Sequence, residues 1–207
     1  MLNKRPRPVM EDEHQIARIL KLWGHARDSD DWETLARCFH ENATIHISWI
    51  SGSAKKFIAQ SRAMAEERKP GAHCKHLISG IWVQVNRDRA FSRCNVNLYM
   101  RDQIHGHEFD LQSWFRFFDL LEKRNNFWRI LKRTAVYEKD CMFPVDLGGF
   151  TENFISAMDL SGFPESAKFL CYWINYCGGR PSADMVSVYS DEERALREES
   201  EAWLRDA

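Results

Sequence analysis

The sequence predicts an α+β fold in which N-terminal helices cover one face of a curled antiparallel sheet. Three observations predict it. Residues 11–68 carry apolar side chains mostly at helical spacing, residues 73–137 turn to long β-rich runs separated by polar turns, and helices come first with strands after. That order favours segregated layers over an alternating, parallel arrangement. The 207 residues, 44% hydrophobic and 13% aromatic, suffice for one substantial core.

Each element has a local reason. Ile16, Ile19, Leu20 and Trp23 share one face of a helix over 11–27, with Glu11, Asp12 and Glu13 favouring its N-terminus. A short helix from Trp32 to Phe39 follows, burying Trp32, Leu35, Ala36 and Phe39. "TIHISWI" alternates as a strand with Ile45, Ile47 and Trp49 on one face, and "SGS" breaks it. Residues 54–68 suit a helix ended by "KPGA". Four antiparallel strands are then expected at His73–Val85, Ala90–Arg101, Glu108–Leu121 and Phe127–Tyr137, with turns at "NRDR" and "KRNN". The second has an apolar face through Leu98 and Met100 and a polar one through Asn95, Asn97 and Tyr99, which meets solvent or lines a wet pocket.

Domain boundaries follow: a flexible N-terminus over 1–10, the α+β domain over 11–140, and an extension over 141–207. The extension opens with the linker "KDCMFPVDLGGF", continues through "ESAKFLCYWINYC", and closes with a helix that Ser190 and Glu193 cap. Phe169, Tyr172, Trp173 and Trp203 are expected to dock it on the core or on a partner subunit.

Bulk numbers exclude several classes. Lys and Arg number 29 against 30 Asp and Glu, for a net charge of -1, so no overall field attracts nucleic acid. No segment approaches the roughly 20 apolar residues of a membrane span, and a soluble, cytoplasmic protein is expected. Six scattered cysteines without a C-x-x-C pair suggest buried thiols rather than a zinc site. His105 and His107 stand two apart, an acceptable chelating geometry, but no third ligand follows at diagnostic spacing, so no metal is expected.

The informative stretch is "RDSDDWETL". Asp30, with Glu33 three residues on, forms a capping-box pattern for the second helix, and Asp31 adds charge at its positive end. Asp28 has no helix to cap and is left over.

"RDSDDWETLARCFHENATIHI", the later "CKHLISGIWVQV" and the closing "NFWRILKRTAVYE" together resemble the SnoaL-like, scytalone-dehydratase-like branch of the nuclear-transport-factor-2-like superfamily over about residues 11–140. The resemblance implies a cone-shaped sheet enclosing a pocket, with Asp28 and His76 as a catalytic pair and no cofactor. A carboxylate beside a histidine fixes its tautomer and favours its charged form, which suits acid/base chemistry near neutral pH. Two positions depart from scytalone dehydratase itself: Arg27 stands where a Tyr precedes the aspartate, and Tyr99 or Met100 where a second pocket histidine is found. Tyr99, Asn97, Trp49, Arg133 and Tyr137 are the expected substrate-binding residues, although Arg133 reads equally as surface charge.

The expected activity is a lyase, a dehydratase or related elimination, acting on an aromatic or polyketide-like molecule. The alternatives are an isomerase or cyclase, and a non-catalytic binding or assembly subunit. The expected partner is a small-molecule substrate, and homo-oligomerisation is expected under each reading.

Overall fold

The computed structural model of the protein describes residues 7–146 and 151–207. It begins with helix α1 (Arg7–Asp28) and the short α2 (Trp32–Arg37). Strands β1 (Phe39–Ile47) and β2 (Ile50–Ser53) form a hairpin, and α3 (Ala54–Glu66) follows. The long strands β3 (His73–Asn86), β4 (Arg89–Ile104), β5 (His107–Arg124) and β6 (Phe127–Pro144) form the body of the sheet. Then come α4 (Glu152–Ala157), α5 (Lys168–Tyr176), β7 (Val186–Ser187) and α6 (Asp191–Arg205).

The sheet runs β2-β1-β6-β5-β4-β3. The β3-β4-β5-β6 meander is antiparallel, but β1 joins β6 in parallel, so the sheet is mixed. β7 pairs with β6 at Val136 and Tyr137, just beyond the residues that β1 covers. Bulges interrupt β5–β6 pairing at Trp114/Phe115 and Leu120/Leu121, and β3–β4 pairing at Ser79/Trp82. Such bulges increase local twist and bend, which is how strands this long curl around a cavity instead of lying flat. At the β3 bulge Gly80 has φ +55°, and a Cβ there would stand 2.7 Å from Asn95 Nδ2. The bend favours glycine by its conformation, and a Cβ would also push aside the exposed Asn95 amide.

Helix α1 closes the concave face. Its Ile16, Leu20 and Trp23 are buried against Leu35, Phe39, Ile45, Phe57, Val96, Phe117 and Ile130 in one core. Full burial of Ile16 or Leu20 is worth about 2 kcal/mol each relative to exposure. On the convex face a second cluster of Phe91, Phe118, Leu120, Val136 and Val186 is covered by Leu196, Trp203 and Leu204 of α6. Trp203 Nε1 donates to the Ala90 carbonyl at 3.2 Å while Arg89 lies over its ring at 4.2 Å. The extension therefore packs on both faces of its own chain's sheet.

Several sequence expectations are corrected. Residues 7–10, expected to be flexible, are helical, and residues 1–6 lie outside the described residues. The segment 139–144, read as linker, continues β6 in pairing with β5, because Met142 is an inward strand residue; 147–150 lie outside the described residues. Trp49 sits in the tight β1–β2 turn rather than in a strand, since Ile47 pairs with Ile50. His105 and Gly106 form the β4–β5 turn with φ of 51° and 83°, which takes His105 off the strand face it was to share with His107. The N-cap of α2 is Asp31, which accepts from Thr34 N–H at 3.0 Å. Asp30, at φ 58°, instead pairs with Arg68.

Helix α5 has no side chain of its own capping its N-terminus; instead Asp140 of β6 accepts from Leu170 N–H at 2.8 Å. Burial pushes the Asp140 carboxyl up to about 6, against the lowering effect of the helix N–H groups. Loss of a capping acceptor costs about 1 kcal/mol. Asp140→Ala is thus expected to lower the thermal midpoint by a few degrees, and Asp140→Asn, which keeps an acceptor, to lower it less; thermal unfolding of both variants checks this.

Candidate active site

The helix α1 ends where the sheet edge begins. Edge strand β3 is bonded to β4 on one side only, and on its other side the His76 N–H meets the Asp28 carboxylate at 2.7 Å. The second oxygen of Asp28 lies 2.6 Å from His76 Nδ1. One carboxylate thus satisfies an edge-strand amide and an imidazole nitrogen of the same residue. The Asp28 side chain is 3% exposed and that of His76 11%. Because a carboxylate accepts, Nδ1 carries the proton and Nε2 keeps its lone pair.

Close approach of helix and strand depends on Gly24, four residues before Asp28. A Cβ at Gly24 would meet Ile78 Cδ1 at 3.0 Å and the His76 carbonyl oxygen at 3.5 Å. Ile78 has a flexible end that can yield to one methyl group, but a β-branched side chain here would press on the His76 backbone.

Beneath the pair lies a buried ion pair. Arg133 Nε and Nη2 donate to the two oxygens of Asp119 at 2.7 and 2.8 Å, and both side chains are 0% exposed. The Arg133 guanidinium also lies 3.9 Å from the Phe117 ring centroid and 4.4 Å from that of Trp23. Trp23 in turn packs edge-on against His76 at 5.4 Å. Arg133 is therefore a support behind the floor of the site, which corrects both its expected place among the substrate-binding residues and the surface alternative.

The cavity in front of His76 has a volume of about 970 Å³. Its walls include Trp23, Trp49, Phe57, Phe115, Phe117 and Tyr137 from the core, and Leu170, Trp173 and Ile174 from α5. Tyr137 accepts from Ser48 N–H at 2.8 Å, which leaves its phenolic proton unspent on that bond, and burial pushes its pKa up. On β4 the cavity lining is Leu98 and Met100, with Arg101 and Asp102 towards the end of the strand. Asn97 and Tyr99 alternate to the convex side, so the structure does not bring these two expected substrate-binding residues into the site. The strand's polar face is the outer one.

Burial also decides the charge of the dyad. Desolvation lowers the His76 pKa below 6.5, more than hydrogen bonding to Asp28 and its charge raise it, and Arg27 and Arg133 lower it further. Burial thus favours the neutral imidazole, the form of a base, against the pull of Asp28 towards the charged form. Asp28, Cys74 and His76 are the group whose donor atoms cluster within 4.8 Å among the described residues. They suit a metal ion poorly, since both Asp28 oxygens are engaged by His76 and burial raises the Cys74 thiol to about 12.

Sequence reasoning missed the α5 wall and the α3 wall. Phe57, Gln60 and Met64 line the cavity at i, i+3 and i+7, a helical stripe that could have been found by its spacing. Trp173 donates from Nε1 to Asp102 at 3.0 Å, and the Tyr176 hydroxyl accepts from His105 N–H at 2.9 Å. No local signal announces either contact, because the partners are 71 residues apart.

Residues 8–134 match the SnoaL-like domain family model. The chain belongs to the SnoaL-like domain family. It is 30% identical over 176 residues to pea pathogenicity protein 2 of Fusarium vanettenii, covering 83% of this chain and 72% of that one. Among solved structures, a candidate scytalone dehydratase from Novosphingobium aromaticivorans is similar in fold, with TM-score 0.56 and 16% identity over 66% of this chain and 91% of that one. The β subunit of a candidate aromatic-ring-hydroxylating dioxygenase from the same bacterium gives TM-score 0.52 and 13% identity over 63% and 92%. The SnoaL-like domain and its α+β cone, with a helical C-terminal extension, are thus shown. No helix among the described residues is long and apolar enough to cross a membrane.

Two outcomes are expected. In an NMR titration His76 should titrate below pH 6.5, and lower still in Asp28→Asn, which removes a charge that favours the imidazolium. The linked stability contribution is fully present above pH 6.5 and is lost as pH falls through the folded value, because only the unfolded chain takes up the proton between the two. Arg133→Met should destabilise the protein by about 3–5 kcal/mol in urea titrations, since it leaves the Asp119 carboxylate buried and unpaired.

Proposed function

We propose that the protein is a cofactor-independent lyase, a dehydratase or related elimination catalyst, that acts on an aromatic or polyketide-like small molecule. The observation that carries this reading is the neutral His76 held by Asp28 on the wall of a 970 Å³ cavity lined by aromatic rings. His76 Nε2 has no protein partner among the described residues. It takes a proton from a carbon beside a carbonyl or activated ring, and Asp28 stabilises the imidazolium that forms. The same Nε2–H then returns the proton to the departing oxygen, so water leaves and the imidazole is neutral again. Tyr137, with its phenolic proton unspent on Ser48, donates to the oxygen on which charge develops.

Isomerisation or cyclisation would use the same first step and differ only in where the proton returns, so product analysis separates them. The fold similarity to a dioxygenase β subunit keeps a second reading in view, an assembly subunit without chemistry. The dyad and cavity favour catalysis, because a purely structural subunit has no need of a buried, neutral histidine facing a void.

Screening hydroxylated aromatic and polyketide-like compounds for loss of water tests the proposal. His76→Ala and Asp28→Asn are expected to reduce turnover roughly 10²–10⁴-fold with circular dichroism unchanged. Wild-type activity should fall on the acid side only below pH 6.5, as His76 protonates. Full turnover in both variants would remove the dyad from the mechanism, and copurification of an inactive chain with a larger subunit would support the assembly reading.

A further inference from the structure

Among the described residues, the cavity wall carries a half-buried cation, Arg27, whose nearest carboxylates are already taken. Arg27 occupies the last turn of α1, one residue before Asp28, and lines the cavity with Cys74 and Arg68 near it. The acidic groups closest to it electrostatically are Asp28 and Asp30. Both oxygens of Asp28 accept from His76, and both oxygens of Asp30 accept from Arg68, at 2.9 and 3.1 Å. Among the described residues Arg27 has neither a hydrogen bond nor an ion pair, only the Trp32 ring 5.8 Å from its guanidinium carbon. Burial is the largest influence on it and disfavours its charge.

The other charges around the cavity do not compensate. Arg101 is held bidentately by Asp110 at 2.7 Å in each bond. Asp102 accepts from Trp173 Nε1 and from Gln103 N–H, and Glu67 is exposed at the end of α3. Lys69 and Arg180 add exposed positive charge to the lining. A half-buried guanidinium without a bonded anion gains most from a planar anion that can take two parallel hydrogen bonds.

We propose that the ligand of this cavity is an aromatic acid, whose carboxylate pairs with Arg27 while its ring lies among the aromatic walls. The inference rests on reading the cavity as a substrate site, and adds to it the charge of the substrate and the residue that selects for it. Arg27 then positions the ligand near the His76–Asp28 pair, because Arg27 and His76 line the same cavity and the charge of Arg27 is felt at His76.

The test is isothermal titration calorimetry on the full chain with a matched pair of probes, 2-naphthoate and 2-naphthalenemethanol. Naphthoate is expected to bind about tenfold more tightly, the worth of one charge-assisted contact. Arg27→Gln should bring the two probes close to equal, Arg27→Lys should restore part of the preference, and Arg180→Gln, at the exposed lip, should leave it intact. Circular dichroism of each variant establishes that it is folded, and if Arg27→Gln is not, the partial loss in Arg27→Lys carries the test. Equal affinity of both probes for the wild type would overturn the anion assignment and leave the cavity reading standing. A preference that survives in both Arg27 variants, or vanishes in Arg180→Gln alone, would overturn the role of Arg27. Failure of both probes to bind would overturn this inference together with the reading of the cavity as a site for flat aromatic ligands.

Discussion

The two oxygens of Asp28 serve one residue, and the architecture of the site follows from that economy. An edge strand presents unpaired backbone donors on its free side, and a helix end presents side chains without a further turn to pack on. Joining the His76 N–H and the His76 ring to the same carboxylate solves both problems and sets the imidazole's tautomer. The constraint also explains Gly24, since the helix must lie close enough to β3 for a short carboxylate to reach its backbone.

Two opposing effects meet at His76, and their balance determines its chemistry. The carboxylate favours the charged ring, while the apolar surroundings, the half-buried Arg27 and the buried Arg133 oppose it. Burial wins. The Arg133–Asp119 pair serves this balance at a distance, because its guanidinium forms the face on which Trp23 and Phe117 rest, and Trp23 fixes one side of the imidazole. A fully buried ion pair is poor evidence of stability in itself. Here its place behind two cavity aromatics gives it a positioning role that a surface arginine would lack.

The sequence was most legible where the signal was local. Periodicity located α1 and its buried face, and turn residues located the long strands to within a few positions except at the end of β6. Asp28 and His76 emerged by elimination and by resemblance, and they are found in contact. Signals that depend on tertiary context were read less well. The alternation of β4 identified two faces but could not say which was concave, so Asn97 and Tyr99 were assigned to the wrong one. Arg133 looked like surface charge because nothing in "LKRT" reveals an aspartate 14 residues earlier on the neighbouring strand. The continuation of β6 through Pro144 was hidden because Pro and Gly nearby imitate a linker, although an end-of-strand Pro is compatible with pairing.

The extension contributes Leu170, Trp173 and Ile174 to the cavity, yet the dyad and its supports, Gly24, Asp28, His76, Asp119 and Arg133, all lie within the SnoaL-like domain. Part of the cavity's shape is thus written outside the segment that holds the dyad. α5 is held to the domain by contacts at Asp140, Asp102 and His105, none of which belongs to the dyad. Its inward side chains lie apart from the hydrogen bonds of the dyad, so a lineage carrying this arrangement can reshape the cavity by rewriting a single helical turn of the appendage.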